Sequence, residues 1–178
     1  YFLGLKADVI TSCCGSLFSG DAKGLAAEVA ALKPLPAMVL FYATLAVATG
    51  LTFRHARTGR GGYAAAAASA AAFAATLIGV LSFVSLYIYE HPNHHCPFCI
   101  LKPEYGHQGY WLYVPLFAAT AAGLGVGALQ PFRQVASLRA IVPAVSARLA
   151  RVAAIGYLLV AAIASYFVLH SNLILIEH

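Results

Sequence analysis

Carboxylates are scarce in this chain. Its 178 residues hold six Asp and Glu, one Met and one Trp, and charged residues of every kind make up 10%. A soluble domain carries about 25% charge. With 61% hydrophobic residues, the chain cannot cover itself with polar groups, so lipid must be its solvent. A net charge of +5 does not indicate nucleic acid, because the basic residues divide between separate connectors. No solenoid repeat is present. Tyr1–Lys6 (YFLGLK) is too short for a signal peptide or a span and reads as the tail of an upstream apolar helix.

The few charges are sorted. Every arginine (Arg54, Arg57, Arg60, Arg133, Arg139, Arg148, Arg151) falls in one of two short connectors between apolar runs. All the acids (Asp8, Asp21, Glu28, Glu90, Glu104, Glu177) and all the cysteines (Cys13, Cys14, Cys96, Cys99) fall in the other segments. Arginine-rich connectors stay in the cytoplasm. The cysteines then face the opposite, oxidising side, which predicts a multi-pass protein of the inner (plasma) membrane with its thiols on the extracytoplasmic, periplasmic face.

The fold class expected is all-α, a polytopic transmembrane helix bundle forming one domain over 1–178. Four spans are visible, at about 34–53, 63–89, 110–132 and 152–176, and a helix before Tyr1 would make five. Outer loops cover 6–33 and 90–109, and inner loops cover 54–62 and 133–151. Residues 22–32 read as a short helix near the membrane surface, and 134–151 as a second, amphipathic one. The alanine run from Ala64 to Ala75 and the GxxxG pair Gly123 and Gly127 read as packing faces, since small side chains let membrane helices approach closely.

Chemistry concentrates in His91-Pro-Asn-His-His-Cys-Pro-Phe-Cys99. A C-x-x-C spaces two thiols to close a small disulfide ring. At a helix start the first thiol would favour the thiolate, the form that attacks disulfides. Pro97 stiffens the turn, and His94 and His95 would relay protons near neutral pH. Cys13 and Cys14 are adjacent, so they bridge each other only through a strained ring. Gly15 permits an unusual backbone beside them.

Three readings of these residues stand open. One is dithiol–disulfide exchange between the two cysteine pairs. Another is a copper or zinc site built from His94, His95, Cys96 and Cys99, with Cys13, Cys14, His91 and His107 as further donors. The last is structural disulfides, as in an accessory subunit of a larger respiratory membrane complex. Aromatic residues gather at the same ends of the spans: Phe83, Tyr87, Tyr89, Tyr105, Tyr110, Trp111 and Tyr113. They suit an interfacial belt or a flat pocket for a quinone ring, the lipid-soluble acceptor nearest to membrane thiols. Tyr105, Tyr110, Trp111 and Lys102 are the candidate quinone-binding residues. Lys102 would stabilise a developing anion and Glu104 would hold a proton. Pro103 argues against a regular helix through this stretch. His170, near the outer end of the last span, is either interfacial or functional.

The chain resembles the vitamin K epoxide reductase and DsbB-like membrane thiol oxidoreductases. A loop cysteine pair precedes two spans, and a C-x-x-C then opens the next span on the same face. The stretch from Asp8 to Ser19 is similar to that family's loop after its first helix, with Cys14 and Phe18 in the family's spacing. Pro36 and Phe41-Tyr42 resemble the start of its second helix. The likeness covers about residues 1–130. Ala7 stands where the family has its first loop cysteine, which leaves that role to Cys13. The resemblance implies a quinone cofactor and a thioredoxin-like periplasmic partner. It makes Cys96 the exchange partner of Cys14 and Cys99 the partner of the quinone.

Overall fold

The computed structural model describes residues 32–90 and 96–172. Two prolines, Pro34 and Pro36, open helix α1, Pro34–Thr58, where a missing N–H had no partner to lose. Gly59 ends it in the left-handed region at φ 66°, and its N–H donates to the His55 carbonyl at 2.8 Å. Gly61, at φ 75°, completes the turn into α2, Gly62–Gly79. The same rod continues through a π turn, Val80–Val84, into the short α3, Ser85–Tyr89. Two 3-10 turns follow, Cys99–Leu101 and Pro103–Tyr105. Helix α4 is Gln108–Ala128, and α5 is Val142–His170 after a 3-10 turn at Gln130–Gln134. No strand occurs among the described residues.

Among the described residues, four rods are long and apolar enough to cross a membrane: Pro34–Thr58, Gly62–Tyr89, Gln108–Ala128 and Val142–His170. Each packs antiparallel against two neighbours, in the order α1, α2, α4, α5 around the bundle. The interior holds Phe41, Leu45, Phe83, Leu112, Leu116, Tyr157 and Val160. Phe41 meets Phe83 edge-on, with ring centroids 5.3 Å apart. Outward faces carry exposed Val39, Val47, Val114, Phe117, Leu158 and Leu169. Apolar side chains on both faces mark a helix whose surroundings are lipid.

The helices differ from the expected spans at their ends, for a common reason. α1 runs past Phe53 to Thr58, and α5 starts at Val142, inside the stretch expected as a connector. Arg54, Arg57, Arg148 and Arg151 all lie exposed on these helices. The same turns bury His55, Ser146 and Ala150 on the inward side. Arginine keeps its head in water while its stem lies along a helix, so a cluster of arginines need not end one. α4 stops at Ala128 instead of 132, as Pro131 enters a 3-10 turn. α5 ends at His170 instead of 176. The expected helix over 22–32 lies outside the described residues, apart from Leu32, which is not helical.

Small residues set the spacing of α2 and α4. A Cβ on Gly123 would sit 2.1 Å from Ser69 Oγ, and one on Gly127 would sit 2.5 Å from the Ala66 Cβ. The GxxxG spacing is therefore a contact face, and on α2 it meets the alanine-rich run. Gly156 similarly lies against Ala119 of α4. Gly123→Leu should lower stability by about 1–3 kcal/mol through overpacking. Gly50→Ala, mid-helix with nothing within 4 Å of the added carbon, should not lower it, and helix propensity favours it by up to about 1 kcal/mol. Thermal unfolding of the detergent-solubilised protein reads both; equal midpoints for Gly123→Leu and the parent would contradict the seam.

Candidate functional site

The C-x-x-C lies where α3 and α4 converge, at the end of the bundle opposite the arginines. Cys96 and Cys99 are buried, with 2% and 6% of their surface exposed. Pro97 is half-buried, and Phe98 projects outward, 64% exposed. The motif thus turns its sulfurs inward and its two middle residues outward. Cys99 opens a turn of three residues, closed by the Leu101 N–H on the Phe98 carbonyl (3.1 Å) and the Lys102 N–H on the Cys99 carbonyl (3.0 Å). A long helix does not begin here; α4 starts only at Gln108. The expectation that a helix dipole acts on the first thiol is corrected accordingly, because so short a turn has little macrodipole. Lys102, extended at ψ 154° ahead of Pro103, is the break, as Pro disfavours helical backbone before it.

Two phenols hold the motif from opposite sides. The Tyr89 hydroxyl, from the end of α3, donates to the Cys96 carbonyl. The Tyr113 hydroxyl, from α4, donates to the Pro97 carbonyl at 2.8 Å. Tyr105 packs edge-on against Tyr89, ring centroids 4.6 Å apart. Gly109 lets the turn settle onto α4, since a Cβ there would come within 2.8 Å of the Ile100 and Leu101 side chains. His107, left-handed at φ 57°, turns the chain into α4, and its Nδ1 lies 2.9 Å from the Leu101 carbonyl. Glu90, also left-handed, ends α3, and its Oε1 accepts from the Asn172 N–H (2.9 Å) and Nδ2 (3.0 Å) beyond α5.

Pro97 and Phe98 form one wall of a cavity of about 720 Å³. The other walls are Leu77, Val80 and Leu81 from α2 and the π turn, Leu101, and Tyr110, Tyr113, Val114 and Phe117 from α4. Exposed Leu77, Phe98, Tyr110, Val114 and Phe117 place its mouth on the outer surface of the bundle. Its volume and apolar lining suit a small apolar ring compound. π turns recur at functional sites, and this one supplies Val80 and Leu81.

The candidate quinone residues separate in space. Tyr110 lines this cavity, whereas its neighbour Trp111 lies in a second groove of about 390 Å³ with Gln108, Ala162, Ile163, Tyr166 and Phe167. Successive residues on a 3.6-residue helix point in different directions. Tyr105 is engaged with Tyr89, and the Lys102 side chain is exposed outside the cavity lining. His170 is exposed and stacks on Tyr166 at 4.1 Å. Cys13, Cys14, His91, His94 and His95 lie outside the described residues. Among the described residues no three His, Cys, Asp or Glu side chains gather to hold a metal. From the sequence Pro97 has a role in the turn, but Phe98 and Gly109 have none; a glycine amid aromatics at a helix start was the one available signal.

No family model, curated protein or solved structure matches this chain. Tyr113→Phe should leave the bundle folded, at a cost of about 1 kcal/mol for the lost hydrogen bond. It should also loosen the motif. Alkylation of Cys96 and Cys99 by a maleimide, followed by mass spectrometry, should run severalfold faster than in the parent; an unchanged rate would count against the clamp.

Proposed function

We propose that this chain is a membrane thiol–disulfide oxidoreductase that passes electrons from its Cys96–Cys99 dithiol to a membrane quinone. The observation that carries this reading is adjacency: Pro97 and Phe98, the two residues between the cysteines, form one side of an apolar cavity on the bundle surface. A quinone dissolved in lipid reaches such a cavity without crossing water. Closing the Cys96–Cys99 disulfide releases two electrons and two protons, and reduction of a quinone to the quinol consumes both. Pro97 and Phe98 separate the two partners by little more than a turn of chain. Tyr110 is the polar side chain of α4 at the cavity whose hydroxyl the motif does not take up.

Within this reading Cys13 and Cys14 form the outer pair. A thiolate from that pair attacks a Cys96–Cys99 disulfide, passes through a mixed disulfide and leaves the inner pair reduced. A soluble thioredoxin-like protein on the extracytoplasmic side of the inner membrane supplies the outer pair with electrons. The direction of flow rests on the family resemblance.

The test uses the full chain in lipid nanodiscs, reduced and then freed of reductant. A short-chain quinone analogue should lose its oxidised absorbance one for one with formation of a Cys96–Cys99 disulfide, identified by mass spectrometry. Cys99→Ser should abolish the reaction. Val114→Trp, which fills the cavity, should raise the KM for quinone severalfold while leaving thiol reactivity intact. Turnover retained by Cys99→Ser, or a stoichiometric metal on the two thiols, would overturn the assignment.

A further inference from the structure

The end of the bundle away from the cysteines presents an unbalanced charge. Arg54 and Arg57 lie on the last turns of α1, Arg60 in the turn to α2, Arg139 before α5, and Arg148 and Arg151 on α5. All six are exposed. His55 on Ser146 (2.8 Å) and Gly62 against Gln130 show that these segments meet at one end. The chain has no Asp or Glu between Lys33 and Tyr89 or between Tyr105 and Asn172. The acids among the described residues, Glu90 and Glu104, are at the other end, and Glu90 is bonded there to Asn172. Arg133 is set apart from the six: it donates to the Gly59 carbonyl and to Gln130 Oε1, fastening the α1–α2 turn to the end of α4.

Apolar side chains are exposed among the guanidiniums. Phe53, Phe132, Val135 and Ile141 all stand out from the surface here, and the Arg57 guanidinium lies 4.5 Å over the Phe53 ring. A soluble anion would find no use for this mixture. A phospholipid would, because its phosphate accepts from the forked guanidinium while its acyl chains cover the adjoining apolar surface. We propose that this end of the bundle is a binding surface for anionic phospholipid headgroups, which supply the counter-charge the described residues lack. Basic clusters at helix ends hold anionic lipids in this way. This inference is independent of the redox reading.

Native mass spectrometry of the full chain tests it. The protein, in a neutral detergent, is mixed with equal amounts of phosphatidylglycerol and phosphatidylcholine of matched acyl chains. Phosphatidylglycerol should be retained about tenfold over phosphatidylcholine, and raising the salt during mixing should erode the preference. Excess inorganic phosphate should not displace the lipid. The triple variants R54Q/R57Q/R60Q and R139Q/R148Q/R151Q should each reduce the preference, and Lys33→Gln/Lys102→Gln at the other end should not. The parent comparison needs no substitution, so a misfolded variant does not spoil the test. Equal retention of the two lipids overturns the proposal. Displacement by phosphate overturns it in favour of a free-anion site, and equal loss in the lysine variant overturns its location.

Discussion

Close approach of α2 and α4 at the arginine end is the contact that holds these two helices together. Gly62, Ala66 and Ser69 meet Gln130, Gly127 and Gly123 with almost no side chain between them. One turn further on, the same seam holds Phe73 against Phe117, ring centroids 5.5 Å apart. Beyond that pair come Leu77, Val80 and Leu81 on one side and Tyr110, Tyr113 and Val114 on the other. Small residues line the seam at the arginine end, and aromatic and larger apolar ones line it toward the cysteines. The cavity lies at that aromatic end, with Pro97 and Phe98 as one wall. Without a hydrophobic drive between helices in lipid, such packing is the main attraction available.

The membrane helices were legible because hydropathy is a property of composition over many residues, and errors at single positions average out. The GxxxG face was legible for a related reason: its spacing matches one face of one helix. Helix ends were less so. Arg54, Arg148 and Arg151 looked like connector residues, and only the inward burial of His55, Ser146 and Ala150 reveals the helical turns they sit on. The site was legible as a set of residue types but not as an arrangement. Tyr110 and Trp111 are neighbours in sequence yet face different grooves. The phenols that grip the motif do so across loops, and no local pattern encodes a hydrogen bond to a particular carbonyl.

The two ends solve opposite problems with the same economy of polar groups. At the arginine end, buried His55 joins α1 to α5 through Ser146 and reaches the Arg60 carbonyl with its other ring nitrogen at 3.1 Å. Both ring nitrogens thus have partners, one on the α1–α2 turn and one on α5, which a buried polar ring requires. At the cysteine end, Glu90 joins α3 to the residues beyond α5 at an exposed position, where a carboxylate keeps its hydration. Each link joins segments far apart in the chain. Together they tie the bundle across both of its ends.

The grip on the C-x-x-C bears on how its thiols would react. Tyr89 and Tyr113 spend their hydroxyl protons on the Cys96 and Pro97 carbonyls. Pro97 itself offers no N–H and has a fixed φ. The peptide between the cysteines is therefore constrained from α3, from α4 and from within. Hydrogen bonds from two helices limit how far the backbone of this turn can move. The same hold keeps both thiols turned inward, leaving Phe98 as the part of the motif that faces lipid. Under the proposed function, a lipid-soluble acceptor would be met at the cavity wall that Pro97 and Phe98 form. Exchange with a soluble partner needs the thiols themselves to be reached, which is the work a second cysteine pair would do.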